Sequence, residues 1–238
     1  LEDSGCTIMY GFENYKVHSK ICQITRIKGK RIQSVTQIGT GNFNEKTVKL
    51  YTDLSYITAD KDINKDAADF FNNMLIGKID GQYHDLWIGP AQLKDRILQA
   101  IDKQIALGPE GTITVKINSI TDTDIMERLS MASQAGVPVN MIVRGICCLL
   151  PQVEGKTDNI HIRSIVGRYL EHSRIYVFGK GEDMSMYIAS SDFMVRNTEH
   201  RVEIAAPIKD KGIQKTILDY LDYLWKDNIN ARELSSHG

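Results

Sequence analysis

A chain of 238 residues, 42% hydrophobic and 25% charged, is long enough for one large or two ordinary domains, and its composition is neither disordered nor fibrous. Its longest apolar stretch, Val139 to Leu150, is broken by Asn140 and Arg144 and is far shorter than the ~20 residues of a membrane helix. A formal net charge of −1 excludes capture of a polyanion by the overall field, so such a ligand needs cations focused in one cleft.

Leu1 to Gly5 reads as the last turn of a helix stopped by glycine and running into a strand-like Cys6 to Tyr10, so the chain is expected to begin inside a domain. No basic, apolar leader opens it, and Cys6, Cys22, Cys147 and Cys148 form no C-x-x-C pair, which together predict a reducing cytoplasm. Val17 to Ile27 and Arg31 to Gln37 are β-rich runs on either side of a hairpin turn at Lys28-Gly29-Lys30. Ile63, Ala67, Phe70, Phe71 and Met74 have helical spacing and predict a helix over 61–75. The glycine-containing segment Gly77 to Gln82 reads as a linker, dividing the chain into domains 1–80 and 81–238.

Beyond it, Pro90 suits the first turn of a helix reaching Leu107, and Thr112 to Asn118 alternates as a strand. Asp122 to Ala135 reads as a helix ended by Gly136, and Val137 to Val143 as a fully buried strand of the parallel-sheet kind. Strands at Asn159 to Ile165, Arg174 to Phe178, Met186 to Ser190 and Arg201 to Pro207 precede a final amphipathic helix over 211–227. The pattern is α/β, with helices on both faces of one mixed sheet. Gly179-Lys180-Gly181 lacks the frame of a Walker loop and reads as a hairpin turn between two of these strands.

A short signature recurs. Val17-His18-Ser19-Lys20-Ile21 returns as Glu171-His172-Ser173-Arg174-Ile175, and Ile38-Gly39-Thr40-Gly41-Asn42 is matched by Ile188-Ala189-Ser190-Ser191-Asp192. Residues two apart on a strand share a face, which would set His18 beside Lys20 and His172 beside Arg174. A neutral imidazole can attack phosphorus, a second can give or take a proton, and the cations can hold phosphoryl oxygens through charge-assisted hydrogen bonds. On the same geometry Lys20, Asn42, Arg174 and Ser190 are expected phosphate-binding residues. Arg196 and Arg201 could extend a cationic path, but Arg201 is read as pairing with Glu199 or Glu203 at the surface. His84, His161, His200 and His237 show no metal-ligand spacing, and no zinc site is expected.

The two histidine motifs resemble those of the phospholipase D superfamily, which pairs H-x-K motifs from two halves in one site. That superfamily usually carries an aspartate five residues after the lysine, where this chain has Thr25 and Gly179, and the second copy has Arg174 in place of lysine. These departures argue against a plain phosphodiesterase. The polyphosphate kinase branch departs in the same way, and the chain is similar to it through Tyr15 to Lys20, Gly39 to Asn44, Leu50 to Asp53, Ile142 to Leu149 and Ser164 to Ile175.

The resemblance implies two phospholipase D-like domains, each a mixed sheet flanked by helices, with the first truncated at its N-terminus. It also implies reversible transfer of the ATP γ-phosphate to inorganic polyphosphate, with ATP/ADP and polyphosphate as partners and no nucleic acid. By the same likeness His18 becomes phosphorylated and His172 is its partner across the site. Arg144 contacts ATP phosphates together with His172, Tyr51 lies against the adenine, and Mg2+ screens the phosphates, with its ligands unassigned. Upstream dimerisation and helical domains are expected to precede Leu1, so a homo-oligomer would form through them, and peripheral contact with the inner membrane is left open. The alternatives are a phospholipase D-like phosphodiesterase, or a fragment inactive without its upstream domains.

Overall fold

The computed structural model describes residues 2–238. Its N-terminal part begins with a two-residue strand, β1 (Lys16–Val17), followed by β2 (Ile21–Lys28) and β3 (Arg31–Gly39), which pair antiparallel with Lys28 opposite Arg31. The turn closes through Gly29, whose φ of 62° is open to glycine at little steric cost. After the short β4 (Tyr51–Thr52), β5 (Ser55–Thr58) completes a three-stranded antiparallel sheet in the order β2-β3-β5. Helix α1 (Lys61–Leu75) starts where Asp60 accepts the N–H groups of Asp62 and Ile63, both at 3.0 Å. Its apolar stripe, Ile63, Ala67, Phe70 and Met74, packs with Ile38 and Tyr56 of the sheet.

The C-terminal part runs β6 (Trp87–Ile88), α2 (Leu93–Leu107), β7 (Ile113–Ile117), α3 (Thr123–Gln134), β8 (Val139–Val143), β9 (Ile160–Ile165), β10 (Leu170–Glu171), β11 (Arg174–Phe178), β12 (Ser185–Ala189), α4 (Val195–Thr198), β13 (Arg201–Val202), β14 (Ile204–Pro207), α5 (Lys211–Trp225) and β15 (Ala231–Glu233). Eight of these strands form one mixed sheet, β15-β9-β8-β7-β11-β12-β14-β6, in which β7, β8 and β9 are parallel and the remaining pairs antiparallel. Both faces are covered, which is why its central strands read as continuous apolar runs. Leu93, Ile97 and Ile101 of α2 with Ile125 and Leu129 of α3 fill one face. On the other, Ile142, Ile175, Val177, Ile188 and Ile204 share a core with Ile217 and Leu221 of α5 and with Ile38, Ile63 and Phe70 of the N-terminal part.

Cys6 to Tyr10 forms no strand, because no neighbouring chain offers hydrogen bonds there, and Tyr10 stands exposed. Pro90 lies in the turn before α2, which starts at Leu93. A more consequential difference is that two runs read as single strands are broken. The run Val17 to Ile27 is interrupted between β1 and β2, and Arg201 to Pro207 between β13 and β14. In each case the first piece pairs with the other half of the molecule: β1 with β13 in parallel, Lys16 opposite Arg201, and likewise β10 with β4, Leu170 opposite Tyr51.

Candidate active site

The breaks lie at the two histidines of the repeated motif and at two acids. His18 follows β1, Asp53 follows β4, His172 follows β10 and Glu203 follows β13. At each, the chain leaves a strand paired with the other half and enters its own sheet. The backbone N–H groups of His18 and Ser19 both donate to Val202 O at 2.9 Å, and those of His172 and Ser173 to Thr52 O at 3.3 and 2.9 Å. The two histidines are therefore held by equivalent exchanges of chain between the halves.

The carboxylates are exchanged as well. His18 Nδ1 lies 2.9 Å from Glu203 Oε2, and His172 Nδ1 lies 2.9 Å from Asp53 Oδ1. Each acid is held from its own half by the hydroxyl of the second matched motif: Thr40 Oγ1 donates to Asp53 at 2.7 Å, and Ser190 Oγ to Glu203. Those hydroxyls in turn accept the N–H of Leu54 at 2.9 Å and of Ile204 at 3.1 Å. Both acids lie 13 residues after their hydroxyl, so the repeat has a third member, Asp53-Leu54 matched by Glu203-Ile204. That equal spacing is the signal by which the sequence could have given up Glu203. It was instead expected as a surface partner of an arginine, whereas the structure buries it completely.

The two centres differ in finish. Glu203 accepts a further hydrogen bond from Asn197 Nδ2 at 2.7 Å. An acceptor already receiving two donors leaves His18 Nδ1 to supply the proton, so Nε2 carries the lone pair; among the described residues it has no protein partner. His172 Nε2, by contrast, faces Arg174 Nη1 at 3.0 Å, and a guanidinium can only donate. Its proton must then sit on Nδ1, towards Asp53. Burial, reinforced by Arg174, pushes His172 below the ordinary histidine value against the pull of Asp53. Burial works against the Asp53 charge, but hydrogen bonds from His172 and Thr40 hold it below the usual carboxylate range.

Lys20 and Arg174 occupy matched positions but do not do matched work. Neither pair lies on one strand face, since His18 to Lys20 and His172 to Ser173 are irregular; the cations approach through side-chain reach instead. Arg174 is buried and closes a two-pronged ion pair on Asp192, Nε to Oδ1 at 3.2 Å and Nη2 to Oδ2 at 3.1 Å. Lys20 donates to the carbonyl of its own His18, and the position matched to Asp192 in the repeat is the uncharged, exposed Asn42. Burial lowers Lys20 to about 8, with Glu203 and Asp53 opposing the shift and Arg174 and Arg201 adding to it. The two cations meet at one loop: Lys20 O accepts the N–H of Gly39 at 2.8 Å, and the carbonyl of the next residue, Thr40, accepts from Arg174 Nη1 at 3.3 Å.

Of the remaining expected residues, Tyr51 sets its ring 4.9 Å from that of His172, tilted by 49°. Arg144 anchors Nε on Asn118 Oδ1 at 3.0 Å and Glu171 O at 3.1 Å, leaving its two terminal nitrogens without a partner among the described residues. Ser190 differs from its expected role: its fully buried hydroxyl is engaged with Glu203 and does not face a phosphate. The structure therefore brings His18, His172, Lys20, Arg174, Tyr51 and Arg144 to one site and uses Ser190 behind it. Gly41 is required there by close approach, because a Cβ would fall 1.9 Å from Asp53 Oδ2.

Among the described residues, one group of acids, Asp60, Asp62 and Asp85, is close enough to share a cation. Asp53 and Glu203 are both closed on histidines, and the group Asp60, Asp62 and Asp85 is closed on Lys209, 2.6 Å from Asp85 and 3.2 Å from Asp60. No helix is long and apolar enough to cross a membrane among the described residues.

Comparison with known proteins adds an independent line. Residues 1–79 match the family model for polyphosphate kinase C-terminal domain 1, and residues 86–238 that for polyphosphate kinase C-terminal domain 2. The chain is 44% identical over 241 aligned residues to a polyphosphate kinase of Staphylococcus haemolyticus, covering all of this chain and 33% of that protein. It is 39% identical over 235 residues to a polyphosphate kinase of Klebsiella pneumoniae, covering 98% of this chain and 34% of that one. Among solved structures, the polyphosphate kinase of Porphyromonas gingivalis superposes with a TM-score of 0.91 at 35% identity, over 99% of this chain and 37% of that one. The chain thus spans about a third of the length of the curated relatives it matches.

Proposed function

The chain belongs to the polyphosphate kinase family, and on that premise we propose that its paired histidines carry the γ-phosphoryl group of ATP to inorganic polyphosphate through a phosphohistidine on His18. The observation that carries the choice of nucleophile is the free Nε2 of His18 behind a buried Nδ1–Glu203 pair, against the Nε2 of His172 capped by Arg174.

In the first step His18 Nε2 attacks the γ-phosphorus, the bond from that phosphorus to the β–γ bridging oxygen breaks, and ADP leaves with the electron pair. The imidazole becomes cationic as the N–P bond forms, and Glu203 at 2.9 Å stabilises the Nδ1–H while holding the ring in place. In the second step a terminal oxygen of polyphosphate attacks the same phosphorus and the P–N bond breaks, giving a chain one unit longer and regenerating His18. Lys20 and the free end of Arg144 meet the phosphoryl oxygens, Tyr51 lies against the base beside His172, and His172 acts as the partner group, fixed as a neutral Nδ1–H tautomer. Mg2+ held by the nucleotide phosphates would screen their charge.

The three-stranded sheet is covered by α1 on one face, while Ile24, Val35 and Ile57 on the other stand exposed. On this reading the reaction belongs to the complete protein, and the isolated chain is inactive or nearly so. The test is incubation of the complete protein with γ-labelled ATP: acid-labile, base-stable label should appear on the native enzyme and vanish in His18→Ala. Full labelling of that variant would show that another residue is the nucleophile.

A further inference from the structure

Lys116 is the penultimate residue of β7, 1% exposed, and has no place in the chemistry just described. A buried ammonium is costly unless each of its N–H groups is met. Here all three are: Lys116 Nζ donates to Ser173 O at 3.1 Å and Ser173 Oγ at 2.8 Å, and lies 3.2 Å from Glu171 Oε2. The charge thus grips the residue on either side of His172.

The grip extends to the partner acid. Glu171 Oε2 also accepts from Thr52 Oγ1 at 3.0 Å and from Tyr220 of α5 at 2.8 Å, and Thr52 immediately precedes Asp53. The carbonyl of Thr52 receives the N–H groups of His172 and Ser173. The charged and titratable groups around Lys116 are therefore Glu171, Tyr220, Arg174 and Asp53, and burial lowers the ammonium to about 8. At the other centre the position of Glu171 is held by Val17, and rigidity comes from the complete burial of Glu203 with Ser190 and Asn197.

We infer that Lys116 is the positioning residue of the second centre: through Glu171 and Ser173 its ammonium fixes the crossing of β10 over β4, and so the register of His172 against Asp53. The inference rests on the reading of His172 as a partner in phosphoryl transfer.

The experiment uses the complete protein and three variants, Lys116→Met, the double variant Lys116→Met with Glu171→Gln, and Tyr220→Phe, with turnover, KM for ATP and the 15N signals of the His172 ring as readouts. Lys116→Met should lower kcat about ten- to a hundredfold with KM for ATP within about twofold, as expected for lost orientation with retained binding. It should also move the His172 ring signals away from the Nδ1–H pattern. The double variant should recover at least part of both, because it removes the buried carboxylate left without its cation. Tyr220→Phe should show the same changes at a few-fold scale.

A folded Lys116→Met enzyme with native kcat and unchanged His172 signals would overturn the inference. So would a loss that the double variant worsens. If Lys116→Met does not fold, the double variant and Tyr220→Phe decide by the same readouts. His172→Ala separates the two levels: native turnover in that variant would sink the role given to His172, while the ring signals of the Lys116→Met enzyme, which keeps His172, still report whether Lys116 holds it.

Discussion

The two histidine centres are built from the same parts and tuned apart. Each takes its histidine from one half and its carboxylate from the other, with the acid held by a hydroxyl 13 residues before it. Around His18 the acid is completely buried and bound by three side chains, the ring's outer nitrogen is free, and the neighbouring cation, Lys20, lacks an acid at the matched position. Around His172 the acid is partly exposed, the outer nitrogen is capped, and Arg174 is neutralised by Asp192. Duplication thus supplies two imidazoles, one with its outer nitrogen open and one with it capped, and the proposed reaction uses the first as nucleophile and the second as its partner.

The comparison is most easily broken at the acids. Glu203→Gln should reduce kcat on the order of a thousandfold, because it removes both the tautomer control and the charge that stabilises a cationic phosphohistidine. Asp53→Asn should cost about tenfold to a hundredfold, as it leaves a ring that does not attack. Steady-state kinetics on both variants ranks them, and an equal or reversed order would mean the assigned roles of the histidines are interchanged. Gly41→Ala drives a methyl into Asp53 and should fall near Asp53→Asn in kcat, with ATP binding by equilibrium titration changed little.

A pH series sharpens the contrast between the cations. Lys20 titrates near 8 before phosphates bind, so affinity for polyphosphate should fall as pH rises through that value, and Lys20→Arg should keep binding to higher pH. Stability should move the other way. The folded value lies below the unfolded one of 10.5, so between about 8 and 10.5 the unfolded chain binds more protons and the Lys20 contribution to folding improves with pH. Binding isotherms and denaturant melts over the same series check the two signs. The smallest effect is expected for Asn42→Asp, which offers Lys20 the acid that Arg174 already has. It should weaken polyphosphate binding a few-fold and raise the pH at which binding is lost, both measurable by titration.

Much of the architecture was legible in the sequence. The helix carrying Ile63, Ala67, Phe70, Phe71 and Met74 and the glycine turn at Gly29 appear where local pattern put them, although Phe71 faces outward, and of the run Val137 to Val143 the part from Val139 forms the strand. The paired His-Ser-cation motifs were equally plain, because a repeated hydroxyl and imidazole need no coordinates to be noticed. Glu203 was not, because nothing local separates a buried histidine partner from a surface acid in the sequence Arg201-Val202-Glu203-Ile204.

The deepest division between what the sequence determined and what only the tertiary structure decided is in the β runs themselves. Val17 to Ile27 and Arg201 to Pro207 have strand propensity from end to end, and propensity is a property of neighbouring residues along the chain. Whether such a run stays one strand depends on which distant backbone offers hydrogen bonds. Here β1 and β13 find each other across the halves while β2 and β14 join their own sheets. The chain must turn between the two pairings, and His18 and Glu203 are the residues at the turn. Side-chain type was fixed by the sequence; the crossing that brings an imidazole to its acid exists only because the two halves are packed together.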